Sequence, residues 1–495
     1  MNILGISAGF HDAGATVINP QGDILFAGHS ERYSKKKNDA NFCNELIQDI
    51  AEYNPIDTVA YYERPIYKQL RQWYAGQGIE WNKLSVRSIV HNQIGHAYWQ
   101  DLTRYKNYNH HLSHAAAGFQ TSPYDRATVV VLDAIGEFET ISIWGAEYDQ
   151  QGKATYKRLW TQGYPHSIGL FYSAITSRVG LHPLDEEYIT MGMAAWGQPS
   201  WYSAMASQVI EDFEKITFKN NLHTGFNSTF LESATNEDIA CAAQLITEDL
   251  IKNVMHRARS LDWSNNLVYM GGVALNCLAN RHLGEFFEKI WIMPCPGDAG
   301  SSLGAAALAH GGRLHWSTAF LGRNIAGDYP VHDAMVHLLD TGIVGVASGR
   351  AEFGPRALGN RSLLADPRGV DIKDRVNEIK RRQKFRPFAP VILEEHVDNY
   401  FDMPHGFGTS RYMQSIARCR HPDLFPAVCH VDNTSRVQTV PKDGSGIRRL
   451  LETWHAETGC PMLLNTSLNI RGEPMVNNRA DADRFEKLYG VTVVS

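Results

Sequence analysis

Three histidines fall within five positions in "NHHLSHAAAGF" (109–119), at the head of an alanine-rich stretch. On a helix, His110 and His114 are spaced i, i+4 and share one face, so neighbouring turns present both imidazoles together. That spacing serves two ligands of one metal ion, and equally the polar start of a buried helix. His111 falls elsewhere on the helical wheel. Two carboxylates favour the metal. Asp133 ends the apolar run "ATVVVLD", where a carboxylate is costly to bury without a cation or donors. Asp298, in "PGDAGSSLG", sits on a glycine-flanked loop entering a helix, a setting that suits a phosphate, a ligand or a simple N-capped turn. Two histidines with one or two carboxylates suit iron(II), manganese or zinc.

Other residue sets carry chemistry of a different kind. "GISAGFHDAGATVI" places His11 and Asp12 in a glycine turn, where they serve solubility or act as acid, base or substrate orienter. "MGGVALN" offers Gly271, Gly272 and Asn276 between a strand and a helix start, a weak phosphate-loop signal. "GRAEFGPRALGNRSLLADPR" carries Arg350, Arg356, Arg361 and Arg368, and "IKRRQKFRPFAPVI" adds Lys380, Arg381, Arg382, Lys384 and Arg386. A charge run is usually a solvated face. Here Phe353, Pro355, Phe385, Pro387 and Phe388 interleave with it, which favours a shaped pocket for phosphate or carboxylate groups. "VDNTSRVQTV" contributes Arg436, and "NTSLNIRGEP" contributes Ser467 and Asn469.

The elements that must position these residues are legible in outline. Two hairpin-like runs, "NILGISAGFHDAGATVINPQGDILFAG" and "ATVVVLDAIGEFETISIWGAEYDQQGKATY", share one plan of strand, turn, strand, turn, strand, and predict a diverged internal repeat. Strands then alternate with helical stretches, which predicts an α/β architecture. The texture changes near 315–340, and the chain divides as 1–325 and 326–495. At 495 residues two or three domains are expected. A net charge of −6 gives no reason for strong nucleic-acid binding. No run of about 18 apolar residues suggests a membrane span, and the first residues read as a strand rather than a signal peptide. Seven cysteines without a CxxC pair suggest reduced thiols in a cytoplasmic protein.

In order along the chain, these motifs, with "SERYSKKKND" and "EEYITMGMAAWG", strongly resemble the O-carbamoyltransferases of the nodulation-protein and cephamycin carbamoyltransferase family, to which the tobramycin and novobiocin enzymes belong. The resemblance implies an N-terminal duplicated actin-like (ASKHA, ribonuclease-H-like lobes) transfer domain and a C-terminal YrdC-like α/β domain. The second domain would form carbamoyl-AMP from carbamoyl phosphate and ATP, with Mg accompanying ATP. The first would pass the carbamoyl group to an acceptor hydroxyl of a small molecule, sugar or nucleotide. Carried over by position, His110, His114, Asp133 and Asp298 are the metal ligands, with iron(II) ahead of zinc or manganese. His11 and Asp12 lie beside the acceptor. Lys37, Gly271, Gly272, Asn276, Arg350, Arg356, Arg361, Arg386, Arg436, Ser467 and Asn469 bind nucleotide and carbamoyl-adenylate.

Departures leave the metal and adenylate motifs intact. "DAIGE" has Ala134 where the family commonly has glycine, "MGMAAWG" replaces a more usual "MGLAPYG", and the chain is short for the family. They leave the acceptor open. The rival readings are a tRNA threonylcarbamoyl transferase and a non-catalytic nucleotide-binding protein of actin-like fold. A homodimer is the default assembly.

Overall fold

Residues 1–95, 104–227, 229–383 and 386–495 are described by a computed structural model. Lys384 and Phe385 of the basic cluster lie outside the described residues.

β1 (Asn2–Ser7), β2 (Gly14–Ile18) and β3 (Ile24–His29) are antiparallel neighbours, and β4 (Ile56–Tyr61) and β5 (Arg104–Asn107) add in parallel on the other side of β1. The order is β3-β2-β1-β4-β5. β6 (Arg126–Leu132), β7 (Glu139–Tyr148), β8 (Ala154–Gly163), β9 (Asn266–Met270) and β10 (Lys289–Trp291) repeat it as β8-β7-β6-β9-β10, with the same parallel and antiparallel pairings. The repeated hairpin pattern is therefore a duplicated sheet topology.

Four helices matter for the site: α1 (Pro65–Tyr74), α2 (His110–Phe119), α3 (Asn236–Ser260) and α4 (Ser301–His310). α2 follows the first sheet in sequence but packs on β6 and β9 of the second, while α4 follows the second sheet and packs on β1 and β2 of the first. The two helices also pack on each other. Small side chains make this possible. A Cβ on Gly304 would overlap the carbonyl oxygen of Ser113, and Ala115, Ala116, Ala117, Ala305, Ala306 and Ala307 are fully buried. The alanine run after the histidines is thus a close-packing surface between two helices, and it brings their N-terminal ends side by side.

In the last third, β11 (Phe320–Ile325) pairs antiparallel with β13 (Gly349–Glu352), across the division expected at 325/326. β12 (Ile343–Ala347), β14 (Arg361–Ala365), β15 (Ala389–Leu393), β16 (Gln438–Val440), β17 (Met462–Ser467) and β18 (Val493–Val494) form a mixed sheet ordered β16-β15-β17-β14-β12-β18. Its core, including Leu364, Val391, Trp454 and Phe485, draws only on residues from Ile325 onward. Among the described residues, no helix is long and apolar enough to cross a membrane.

Candidate metal centre and anion pocket

Asp133 directly follows β6, α2 begins with His110 and carries His114 one turn later, and the turn before α4 holds Asp298. One ligand atom of each lies within 4.8 Å of every other. The Nε2 atoms of His110 and His114 are 3.1 Å apart. Asp298 Oδ1 is 3.4 Å from His110 Nε2 and 3.3 Å from His114 Nε2, and Asp133 Oδ2 is 3.4 Å from His110 Nε2.

Both rings are held from behind. His110 Nδ1 lies 3.2 Å from Glu63 Oε2, and His114 Nδ1 lies 3.0 Å from the Pro296 carbonyl oxygen. A carbonyl only accepts, so His114 carries its proton on Nδ1 and presents a lone pair at Nε2. Glu63 selects the same tautomer at His110. Two nitrogen lone pairs and two carboxylates therefore face one buried space, an arrangement that repels itself unless a cation or protons lie between. A metal ion fits this donor set. Burial disfavours charge on His110, yet Asp298 and Asp133 outweigh it and hold the imidazole pKa well above its ordinary value. Burial and Asp298 push Asp133 up, and the two histidines hold it down to about 2. His111 stands apart: its Nδ1 is 2.7 Å from Ser142 Oγ, and burial pushes its pKa well down.

Glu63 was not foreseen as part of the centre. It follows a buried strand, as Asp133 does, so the signal in "DTVAYYERP" was of the same kind. Glu63→Gln keeps an acceptor for His110 but removes the charge that makes the ring a stronger ligand. Metal affinity, measured by chelator competition, is expected to fall about 10-fold or more; an unchanged affinity would remove Glu63 from the centre.

Asp133 and Asp298 also line a cavity of about 1010 Å³. His11, Asp12, Lys37, Gly272 and Asn276 line it from the first part of the chain. Arg356, Lys380, Arg382, Arg386, Arg436, Ser467 and Asn469 line it from the last third. Asp12 sits in the β1–β2 turn at φ 43°, with its Oδ2 3.5 Å from His11 Nδ1. Burial raises its pKa to about 7, with His11 opposing.

Positive charge is concentrated at the other side. Among the described residues, none of Arg356, Lys380, Arg382, Arg386 and Arg436 forms an ion pair with a carboxylate. Burial and then Arg436 push Arg356 down to about 9. Burial, Arg382 and Arg386 push Lys380 well down. Arg436 Nε is buried without a hydrogen-bond partner. Lys380 Nζ reaches Ser467 and lies 2.7 Å from Asn469 Oδ1, which ties the two polar residues to the cationic wall. Lys380 is buried and the four arginines are half-buried, and uncompensated cations of this density are stabilised by a bound polyanion.

Several expected site residues do something else. Arg350 does not line the cavity; its guanidinium donates to the carbonyls of Gly322, Leu25 and Leu321. Arg361 is fully buried and donates to the carbonyls of Ser348, Gly349, Asn360, Arg323 and Asn477. Both tie backbone segments together. Gly271 is not in the wall either. Its φ is +92°, its N–H donates to Pro296 O at 2.9 Å, and a Cβ would overlap the Leu132 carbonyl. Gly272 N–H donates to Asp133 Oδ1 at 3.1 Å, so this glycine pair positions the metal aspartate. Asn276 exchanges two hydrogen bonds with Gln244, and Lys37 Nζ pairs with Asp185 at 2.9 Å. Lys380 and Arg382 enter the pocket beyond the arginines singled out by motif.

Residues 2–307 match the family profile "Carbamoyltransferase N-terminus", and residues 336–494 match "Carbamoyltransferase C-terminus". The chain belongs to the carbamoyltransferase family. It is 32% identical to the 3'-hydroxymethylcephem-O-carbamoyltransferase of Amycolatopsis lactamdurans, over 77% of this chain and 78% of that one. Nodulation protein NolNO of Sinorhizobium fredii is 28% identical over 97% of this chain and 77% of its own. An uncharacterised protein of Synechocystis is 31% identical over 98% and 94%. Among solved structures, the activator of the 2-hydroxyisocaproyl-CoA dehydratase from Clostridium difficile is 14% identical, with a TM-score of 0.35 over 63% of this chain and 94% of that one, too distant to compare site residues. As a carbamoyltransferase-family enzyme, the chain places its metal-type group in the part matched by the first profile and its cationic wall in the part matched by the second.

Proposed function

We propose that this enzyme is an ATP-dependent O-carbamoyltransferase that makes carbamoyl-AMP at the arginine-rich wall and transfers the carbamoyl group beside the His–Asp group. The observation that carries this reading is that one cavity is lined by the arginine-rich wall and by Asp133 and Asp298 of that group. At about 1010 Å³ it is at the upper end of small-molecule sites, with room for a nucleotide and a second substrate. An intermediate made at one wall reaches the other through this one cavity. The duplicated β3-β2-β1-β4-β5 topology supports an actin-like (ASKHA) transfer domain, and the mixed six-stranded sheet is read as YrdC-like.

In the first step water attacks carbamoyl phosphate, which gives carbamate and releases inorganic phosphate. The carbamate oxygen then displaces pyrophosphate from the α-phosphorus of ATP, giving carbamoyl-AMP. Arg356, Arg382, Arg386, Arg436 and Lys380 hold the negative charge that moves between these phosphates. In the second step the acceptor hydroxyl oxygen bonds to the carbamoyl carbon, the bond to AMP breaks and AMP leaves. Asp12 takes the hydroxyl proton, with His11 beside it. A metal ion held by His110, His114, Asp133 and Asp298, with iron(II) preferred to zinc or manganese, would supply Lewis acidity toward the carbonyl and phosphate of the adenylate.

The deciding measurement is pyrophosphate release from ATP with carbamoyl phosphate, against threonine plus bicarbonate. Release with carbamoyl phosphate is expected; release only with threonine would identify a threonylcarbamoyl-type enzyme, and ATP binding with no release a non-catalytic protein. The proton step has its own test. Asp12 must be ionised to accept a proton, so transfer from preformed carbamoyl-AMP is expected to rise with pH through a midpoint at or below about 7 and level off above it. A bound cation nearby can only lower that midpoint. Asp12→Asn is expected to remove this limb, and a limb that persists would pass the role to His11.

A further inference from the structure

We propose that the acceptor is an acid: a hydroxylated compound whose carboxylate or phosphate is bound by Arg71. The inference rests on the reading above, that the acceptor hydroxyl reacts beside the His110–His114–Asp133–Asp298 group. α1 begins two residues after Glu63, the carboxylate behind His110, and turns Lys68, Arg71 and Gln72 into the cavity. Their i, i+3, i+4 spacing makes one helix face. Lys68 is neutralised, its Nζ 3.2 Å from Glu63 Oε2.

Arg71 is not. Among the described residues it has no carboxylate partner within ion-pair distance. Its Nη1 donates to Gln77 Oε1 at 3.1 Å, and its Nε is buried with no hydrogen-bond partner. The residue is only 5% exposed. A buried guanidinium with an unmatched N–H and no counter-ion is costly, and a planar or tetrahedral oxyanion is its natural complement. Burial pushes Arg71 below its ordinary pKa, with Glu63 opposing from a distance.

The cationic wall of the last third does not account for this charge. The groups that face Arg71 electrostatically are Glu63, Tyr62, Tyr164 and His223, all from the first part of the chain. The phosphates of ATP and carbamoyl phosphate have five cations of their own. An anion at Arg71 is therefore a third one, and it belongs to the acceptor. Lys68, bound to Glu63, and Arg71 are less than one helical turn of about 5.4 Å apart along α1, so a compact molecule reaches Arg71 with its acid and the metal-type group with its hydroxyl. The aromatic ring of Phe10, 5.0 Å from Lys68 Nζ, and the amides of Gln72 and Gln77 complete the wall.

The probes are D-glucose, D-gluconate and D-glucose 6-phosphate, titrated calorimetrically into the full chain loaded with metal and saturated with AMP, which occupies the arginine wall. At least one acid is expected to bind at least tenfold tighter than glucose, and the stronger acid tells carboxylate from phosphate recognition. Arg71→Met is expected to abolish the preference and Arg71→Lys to retain part of it, which a purely structural guanidinium would not do. Equal binding of acid and neutral probes, no binding of any probe, or a preference that survives Arg71→Met would overturn the proposal. Carbamoyl-phosphate-dependent pyrophosphate release by the unsubstituted enzyme is measured in parallel. Its absence sinks the preceding reading and leaves the anion result at Arg71 to be judged by itself.

Discussion

His110→Ala is expected to strip the bound metal and with it carbamoyl transfer, while His111→Ala keeps both. The two residues are adjacent, fully buried and of one type, so composition and burial predict equal effects. Geometry does not. His110 Nε2 lies 3.1–3.4 Å from His114, Asp133 and Asp298, whereas His111 Nδ1 is engaged by Ser142 Oγ at 2.7 Å. Removing an outer partner of a metal ligand typically weakens metal binding about 10–100-fold, and removing the ligand itself is expected to exceed that. Metal content after dialysis against a chelator, read by mass spectrometry, is the check. Transfer from preformed carbamoyl-AMP should fall in parallel for His110→Ala alone. Equal metal loss in both variants would mean that the His–Asp cluster is only a buried polar network.

Arg436→Met is expected to slow carbamoyl-AMP formation about 100-fold or more, the usual cost of removing one preorganised donor to developing charge. Methionine keeps most of the volume, so the change is chiefly one of charge. Arg436 is half-buried, its enclosed Nε has no partner among the described residues, and Arg356 beside it is already pushed down to about 9. Relief of that repulsion should leave the substituted chain folded, with an unchanged melting temperature. Arg361→Met makes the opposite control. Arg361 donates to five backbone carbonyls, so its loss is expected to destabilise the fold by about 2–4 kcal/mol, seen as a lower denaturant midpoint. If Arg361→Met were harmless to stability and Arg436→Met were not, the two roles would have to be exchanged.

The arginines of the glycine-rich stretch show where reading by motif stops. Arg350, Arg356 and Arg361 lie within one glycine-rich stretch, and local chemistry treats them alike. Arg356 turns to the cavity, while Arg350 and Arg361 reach carbonyls as distant as Leu25 and Asn477, which no local window contains. The glycine pair at 271–272 is similar. It reads as a phosphate loop, yet both N–H groups are engaged, one by Pro296 and one by Asp133. By contrast, Glu63 was legible in principle, since it follows a buried strand as Asp133 does, but only the fold turns it toward His110.

By itself the sequence determined what depends on spacing within one element. The period of apolar residues and the turn signals set the hairpins, hence the duplicated sheet order. The four-residue step put His110 and His114 on one face, and an acid at the end of an apolar strand marked Asp133. These features are short-range, because backbone geometry converts spacing directly into direction. The tertiary structure alone decided which groups meet. Two small-residue helices cross between the sheets and bring α2, β6 and the turn before α4 to one point, where Glu63 and the Pro296 carbonyl set the tautomers. It also decided that, among the described residues, Arg71 is left without a counter-ion while Lys68, three residues earlier, is not. The direction of a long side chain, and whether its charge is matched, is set by partners tens or hundreds of residues away.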